Sequence, residues 1–251
     1  MSRFLQKSRD WLDVPARKRA FNAAHFAAAA ARYDMATIAM SFGRDRSWKR
    51  QLVAELPSLP HPCCLDLACG TGDLSRLLAD RYPHGRIIGL DLTREMLALA
   101  AARGGPTRLG YLQGDMHALP LASASCDLVT GGYALRNAPD LDCALAEVAR
   151  VLRPGGQAAF LDFAKAGTPA GQQRQYRLLR CWCGLWGRLL SGSWEVHGYI
   201  AESLRNFPGE AELDRLLRDH GLVLQARHRL LGGMLQRLLL VRGGKAVGGR
   251  Q

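Results

Sequence analysis

The stretch Leu65-Asp66-Leu67-Ala68-Cys69-Gly70-Thr71-Gly72-Asp73-Leu74 constrains this chain more than any other. The apolar run from Cys63 to Cys69 suits a strand covered on both faces, as in a parallel sheet. Gly70 and Gly72 allow a tight turn and a close approach of backbone to ligand. Asp73 is placed to cap a helix beginning at Leu74. Asp66 is the exception in the strand, because an unpaired carboxylate among apolar residues is costly. A cationic ligand at the strand's C-terminal edge would offset that cost.

Two more strands end in the same way. Arg86–Asp91 closes on an acid 25 positions after Asp66, near the roughly 20-residue spacing expected of a group that accepts ribose hydroxyls. Arg108–Gly114 runs into Asp115-Met116, a polar group for an adenine amine and a flexible thioether for its face. Three successive strand ends carrying acids suit a cofactor with ribose, adenine, ammonium and sulfonium groups and no phosphate. S-adenosylmethionine (SAM) has that composition. Ala68 also stands where a dinucleotide fingerprint has its first glycine.

The alternation continues with helices at Asp73–Arg81 and Arg94–Arg103, a strand at Cys126–Gly131 and a helix at Asp140–Leu152. Arg153-Pro154-Gly155-Gly156 stops that helix before a fifth strand, Gln157–Phe163. A helix Glu210–His220 and strands Leu222–Arg229 and Met234–Val241 complete the pattern. This order predicts an α/β chain with a doubly wound, mostly parallel sheet and helices on both faces. The expected organisation is a basic N-terminal arm (1–25) and a methyltransferase domain (26–242). That domain carries a helical cap insert (164–207), and a disordered glycine-rich tail follows (243–251). Asn22–Arg32 is alanine-rich and helical by propensity. Tyr33–Arg50 reads as helix, turn at Gly43 and helix, either packed on the sheet or closing as a flap over the cofactor.

Charge bears on partners. The net charge is +12, and residues 1–50 hold eleven Lys/Arg against four Asp. Residues 165–190 add Lys165, Arg174, Arg177, Arg180 and Arg188 and no acid. Such surfaces attract nucleic acid, anionic lipid or acidic substrates. Against nucleic acid, Gly131-Gly132-Tyr133-Ala134 replaces the Asn/Asp-Pro-Pro-aromatic run that methylates base amines. Seven cysteines lack zinc spacing and suit reduced, buried thiols, so no metal is expected. No apolar run reaches membrane-span length, and Ser2–Arg19 lacks the apolar core of a secretory signal. A cytoplasmic protein, peripheral at most to the inner face of the membrane, is the expectation.

From about Phe26 to Gly243 the chain resembles the UbiE/MenG family of SAM-dependent quinone C-methyltransferases. The likeness is carried by Tyr33-Asp34-Met35, Met40-Ser41-Phe42-Gly43, Arg46-Ser47-Trp48-Lys49, Leu65–Leu74 and Asp91–Leu97. Ala118-Leu119-Pro120, Leu135-Arg136-Asn137, Leu152–Gly156, Tyr199–Leu204 and Phe207-Pro208 continue it. Three stretches depart from the family pattern: Arg180–Leu190, His197-Gly198 for a Tyr-Arg pair, and Gln236-Arg237 where a His is common.

The resemblance implies the Rossmann-like class I SAM-dependent methyltransferase fold, an α/β architecture with a seven-stranded, mostly parallel sheet, helices on both faces and a helical cap insert. It also implies methylation of a ring carbon of a reduced quinone, demethylmenaquinol or a ubiquinol precursor. SAM would lie against Asp66, Gly70, Thr71, Gly72, Asp91, Leu92, Asp115, Met116, Gly132 and Tyr33. Arg136 with Asn137 would stabilise the acceptor's oxyanion, with a water beside Arg136 as base and His197, His117 and Tyr199 as rivals for that role. The implied partners are a polyprenyl quinol, an anionic membrane surface and no nucleic acid, with a homodimer left open. A methyltransferase of soluble aromatics or natural products is the alternative.

Overall fold

The computed structural model describes residues 14–191 and 199–243. The expected alternation of strands and helices is present, with shifts of a residue or a few at element ends. Strands β1 (Cys63–Leu67), β2 (Arg86–Asp91), β3 (Leu109–Gln113), β4 (Cys126–Gly132), β5 (Leu152–Phe163), β6 (Leu222–Leu230) and β7 (Leu235–Arg242) form one sheet. Its order is β3-β2-β1-β4-β5-β7-β6, with β7 antiparallel to both of its neighbours. The chain order reverses between β1 and β4, which pair in parallel at Cys64–Leu128, Leu65–Val129 and Asp66–Thr130. A crevice at the C-terminal ends of those strands is where such sheets bind ligands.

Both faces of the sheet are covered, which explains the uninterrupted apolar runs. Leu65, Leu67, Val129, Ala158 and Phe160 belong to the core on one face. Cys64, Leu128, Ala159 and Leu161 belong to the core on the other. Helices α4 (Asp73–Arg81), α5 (Arg94–Ala102), α7 (Leu141–Val151) and α10 (Glu210–Asp219) supply the outer layers, and the single turn α6 (Ala134–Asn137) follows β4. Asp140 caps α7 by accepting the Cys143 amide at 3.2 Å.

The turn after β1 differs from expectation in one respect. Gly72 (φ +79°) occupies the cap position of α4, and Asp73 is its first residue. The Asp73 carboxylate accepts instead from Arg76 (2.8 Å) and Arg103 (3.1 Å). A Cβ at Gly72 would collide with Tyr111 and meet Ala100 at 3.1 Å, so only glycine fits there.

The N-terminal region is a wall of the fold. Helix α1 (Pro15–Ala29) runs through the boundary expected at residue 25 and continues by a short 3-10 turn into α2 (Tyr33–Met40). Gly43 (φ +72°) then leads to α3 (Asp45–Ala54), giving the helix–turn–helix read from the sequence. The insert supplies α8 (Pro169–Ser191) and α9 (Tyr199–Asn206). His197 lies outside the described residues, as does the tail from 244 onward.

Asp66 is fully buried and bound within the protein. It accepts from Ser75 (2.5 Å) on α4 and Thr130 (3.3 Å) on β4. Burial pushes its carboxyl up to about 7, against the pull of the Ser75 hydroxyl. The ordinary aspartate value is about 3.9, so the folded state binds a proton that the unfolded chain releases. Stability therefore falls as pH rises from about 4 to about 7 and is level above that range. Asp66→Asn, which cannot ionise, should gain stability relative to the parent across that window in urea unfolding. Parallel pH profiles would exclude Asp66 as the titrating group.

Candidate active site

The strand ends create a narrow cleft of about 70 Å³. Its floor is Ala68, Gly70, Asp91, Leu92, Asp115, Met116 and Gly132, and Asn22, Phe26 and Tyr33 of the N-terminal helices roof it. Ala68 takes a left-handed backbone (φ +52°), as does Gly70 (φ +55°). A Cβ at Gly70 would come no closer than 3.9 Å to its nearest neighbour, Tyr33. The Asp91 carboxylate, 8% exposed, accepts the Gly70 amide through one oxygen and the Thr93 amide through the other, each at 2.8 Å. Burial raises its pKa, and those amides oppose the rise. One group therefore fixes the glycine turn and the start of α5 while still facing the cleft.

Asp115 accepts the His117 amide at 3.0 Å and pairs with Arg19 of α1. Burial pushes its carboxyl up, but the His117 amide and the Arg19 guanidinium outweigh it and hold the group below the usual range. Two carboxylates, flanking backbone and the Met116 thioether fit an adenosyl group, which offers hydroxyl and amine donors. Of the residues expected at the cofactor, Tyr33, Gly70, Asp91, Leu92, Asp115, Met116 and Gly132 line this cleft. Asp66, Thr71 and Gly72 lie beneath it: Thr71 donates to Asp34 at 2.7 Å, and Asp34 pairs with Arg103.

A second cavity, about 1140 Å³, adjoins the first and is mostly apolar. Alanines 24, 28, 29 and 31, Met40 and Phe42 form one side, and Leu178, Leu179, Trp182 and Leu185 of α8 form another. Phe26, Tyr33, Tyr133 and Asn137 line both spaces and mark their junction. Tyr133 has a left-handed backbone (φ +61°) and donates its phenol to the buried Asp45 at 2.8 Å. Lys49, in the Arg-Ser-Trp-Lys segment, pairs with the same Asp45 at 2.7 Å.

Arg136 is the buried charge of the larger cavity, 4% exposed. Its amide donates to Asp162 (3.0 Å), its Nε lies 3.8 Å from the other Asp162 oxygen, and its terminal nitrogen reaches Ser203. The rings of Phe163 and Tyr199 lie 5.1 and 5.7 Å from Cζ, a cation–π arrangement. Arg136 Nε is buried without a hydrogen-bond partner. Beside it Lys18 donates to the carbonyls of Arg136 (3.2 Å) and Ala138 (2.5 Å). Burial, reinforced by the neighbouring Arg136, lowers Lys18 to about 8.

Tyr199 is buried, which pushes its phenol up to about 12. It donates to Asn22 Oδ1 at 2.6 Å and lies 3.1 Å from Asn137 Oδ1. At neutral pH it is a hydrogen-bond donor. His117 Nε2 accepts the Asp140 amide at 3.0 Å, and His117 lines neither space. The histidine that does line the larger cavity is His25, its ring tilted against that of Tyr199 with the centroids 5.2 Å apart. Sequence reasoning misses Lys18, Asn22, His25 and Asp162, and it meets Ser203 only within the Tyr199–Leu204 stretch. The one signal was an apolar strand, Gln157–Phe163, carrying a lone acid near its end, as β1 does.

Among the departures from the family pattern, α8 faces the cavity. Gln236 and Arg237 do not: Gln236 donates to the Phe163 carbonyl (3.3 Å), and Arg237 binds Gln51 (2.8 Å) and Glu55 (2.7 Å). Met234 and Leu235 line the cavity in that strand's place.

The ubiE/COQ5 methyltransferase family matches residues 17–238. The chain belongs to this family. It is 38% identical over 205 residues to the 2-phytyl-1,4-naphtoquinone methyltransferase of Thermosynechococcus vestitus, covering 81% of this chain and 91% of that protein. It is 34% identical over 215 residues to the demethylmenaquinone methyltransferase of Desulfitobacterium hafniense, covering 84% and 85%. Among solved structures, a SAM-dependent methyltransferase from Mesorhizobium loti superposes with a TM-score of 0.58 at 19% identity, covering 78% of this chain and 98% of that one. Geranyl diphosphate methyltransferase superposes with a TM-score of 0.59 at 16% identity, covering 78% and 77%. The protein is thus a methyltransferase of the Rossmann-like class, and its cofactor is SAM.

A carboxylate serving ribose hydroxyls makes charge-assisted bonds worth about 1.5–3 kcal/mol each. Asp91→Ala should therefore weaken S-adenosylhomocysteine binding at least about tenfold in calorimetry, with far-UV circular dichroism unchanged. Unaltered affinity would remove Asp91 from the cofactor site.

Proposed function

We propose that this methyltransferase of quinone biosynthesis transfers a methyl group to a ring carbon of a reduced polyprenyl quinone, demethylmenaquinol or a ubiquinol precursor. The observation that carries the reading is the position of Arg136: a buried cation in the wall of a large apolar cavity that adjoins a narrow cleft lined by two carboxylates. SAM supplies an electrophilic methyl group on a sulfonium. The chain's own residues then align and desolvate the acceptor. Asp91, Asp115, Met116, Leu92 and the Gly70 and Gly132 backbone hold the donor in the narrow cleft. Tyr33 and Asn137, shared by both spaces, set the junction across which the methyl passes.

The acceptor carbon is nucleophilic once its neighbouring hydroxyl gives up its proton. Arg136 stabilises the resulting oxyanion, and in an apolar surround that interaction is far stronger than in water. A water held against Arg136 takes the hydroxyl proton. Once the ring carbon has taken the methyl group, that carbon gives up its hydrogen as a proton and the oxygen is reprotonated, which restores the aromatic hydroquinone. Asp162 and Ser203 position the guanidinium, while Tyr199, protonated and fixed by Asn22, closes the wall behind it. The volume of the apolar cavity, about 1140 Å³, suits a tailed ring better than a small soluble phenol. No helix among the described residues is long and apolar enough to cross a membrane. The basic residues of the N-terminal region and of 165–190 support an enzyme working from the cytoplasmic side, peripheral to the lipid that holds its substrate.

Incubation with labelled SAM and a panel of reduced quinones and soluble phenols, followed by mass analysis, tests the reading. A carbon-methylated quinol is the expected product, and methylation of soluble phenols alone would overturn it. Arg136→Ala should keep S-adenosylhomocysteine affinity within about twofold and lower turnover about 100-fold or more, the usual cost of removing one oxyanion donor. An unimpaired rate would remove Arg136 from the chemistry.

A further inference from the structure

The mouth of the apolar cavity carries a surface that its interior does not explain. Helices α2 and α8 meet there: Phe42, just past α2, stacks on Trp182 of α8 at 4.8 Å, and the Trp182 indole donates to the Met40 carbonyl at 3.2 Å. On their outer side, Ile38 (60% exposed), Phe42 (63%), Leu178 (61%) and Leu189 (64%) face solvent. Scattered exposed leucines need no explanation, but a cluster on two packed helices marks an interaction surface. Phe42 and Leu178 also line the cavity, so one apolar surface runs from solvent toward Arg136.

We infer that this mouth is a lipid-docking face, which seats the two helix surfaces in an anionic bilayer and lets a hydrophobic substrate pass from the acyl region directly into the cavity. The access route rests on the quinol reading given above, whereas the docking face stands on geometry and charge. Arg174, Arg177 and Arg188 are exposed on the same helix as Leu178 and Leu189, and residues 165–190 contain no acid. Apolar side chains centred among arginines match acyl chains and lipid phosphates together. A second copy of the chain fits less well. Two such faces brought together would set arginines against arginines with no carboxylate on that helix to pair them.

The test is sedimentation with vesicles of phosphatidylcholine alone or mixed with phosphatidylglycerol, using the full chain, Ile38→Glu/Leu189→Glu and Arg174→Glu/Arg188→Glu. The parent should bind the anionic vesicles more tightly than the neutral ones. Each double variant should lose at least about tenfold of that binding. The Ile38/Leu189 variant should methylate a short-tail, water-soluble quinol at the parent rate and lose activity on a long-tail quinol presented in vesicles. Should that variant fail to fold, Ile38→Ser/Leu189→Ser provides the same comparison. Parental vesicle binding by the variants would overturn the proposal. So would a parental dimer that the Ile38/Leu189 variant converts to a monomer, since the face would then be a contact between copies. If the parent binds anionic vesicles, the variants do not, and no quinol is methylated, the docking face stands and the quinol reading fails.

Discussion

Three segments far apart in the chain meet at one hydrogen-bonded knot, and both ligand spaces depend on it. Asn22 of α1 donates to the Asn137 carbonyl at 2.7 Å and accepts from Tyr199 of α9. Asn137 donates its own amide back to the Tyr133 carbonyl at 2.9 Å. The first helix, the end of β4 and the cap are thereby held in one geometry. Asn22 and Tyr199 are buried and Asn137 is partly so, so leaving one of them unpaired would incur much of the cost of desolvation. That penalty ties the roof of the narrow cleft to the wall of the larger cavity.

Electrostatics divides the two spaces. Carboxylates dominate the narrow cleft and a guanidinium marks the wide one. Asp162 stays close enough to keep the buried cation tolerable, with its nearest side-chain approach at 3.8 Å. A tighter bidentate pair would hold the guanidinium in a fork–fork geometry and leave it less able to answer a new anion. The aromatic faces of Phe163 and Tyr199 supply the rest of its solvation without taking up its donors.

The sheet was legible because its central strands are buried on both faces and punctuated by glycine, proline and acids. The cleft was legible for the same reason, since Asp91 and Asp115 interrupt apolar runs at strand ends. Asp66 obeys the same pattern yet faces inward, because Ser75 and Thr130, remote in sequence, provide its donors. Distance along the strand, not alternation of faces, decides the last strand: Met234 and Leu235 at its start reach the cavity, and the two polar residues further along are bound elsewhere. The first helix was the hardest to place. Its alanines give no periodic signal, and Lys18 and Asn22 resemble solvent-facing residues until the carbonyls they serve are known.

One practical consequence concerns that helix. Its basic, alanine-rich sequence invites trimming as a dispensable leader when crystals or soluble protein are sought. Lys18, Arg19 and Asn22 instead reach the loops after β4 and β3. A shortened chain beginning beyond Ala29 would lose the partition between its two chambers, and the sheet beneath would keep its shape with a site left open to water.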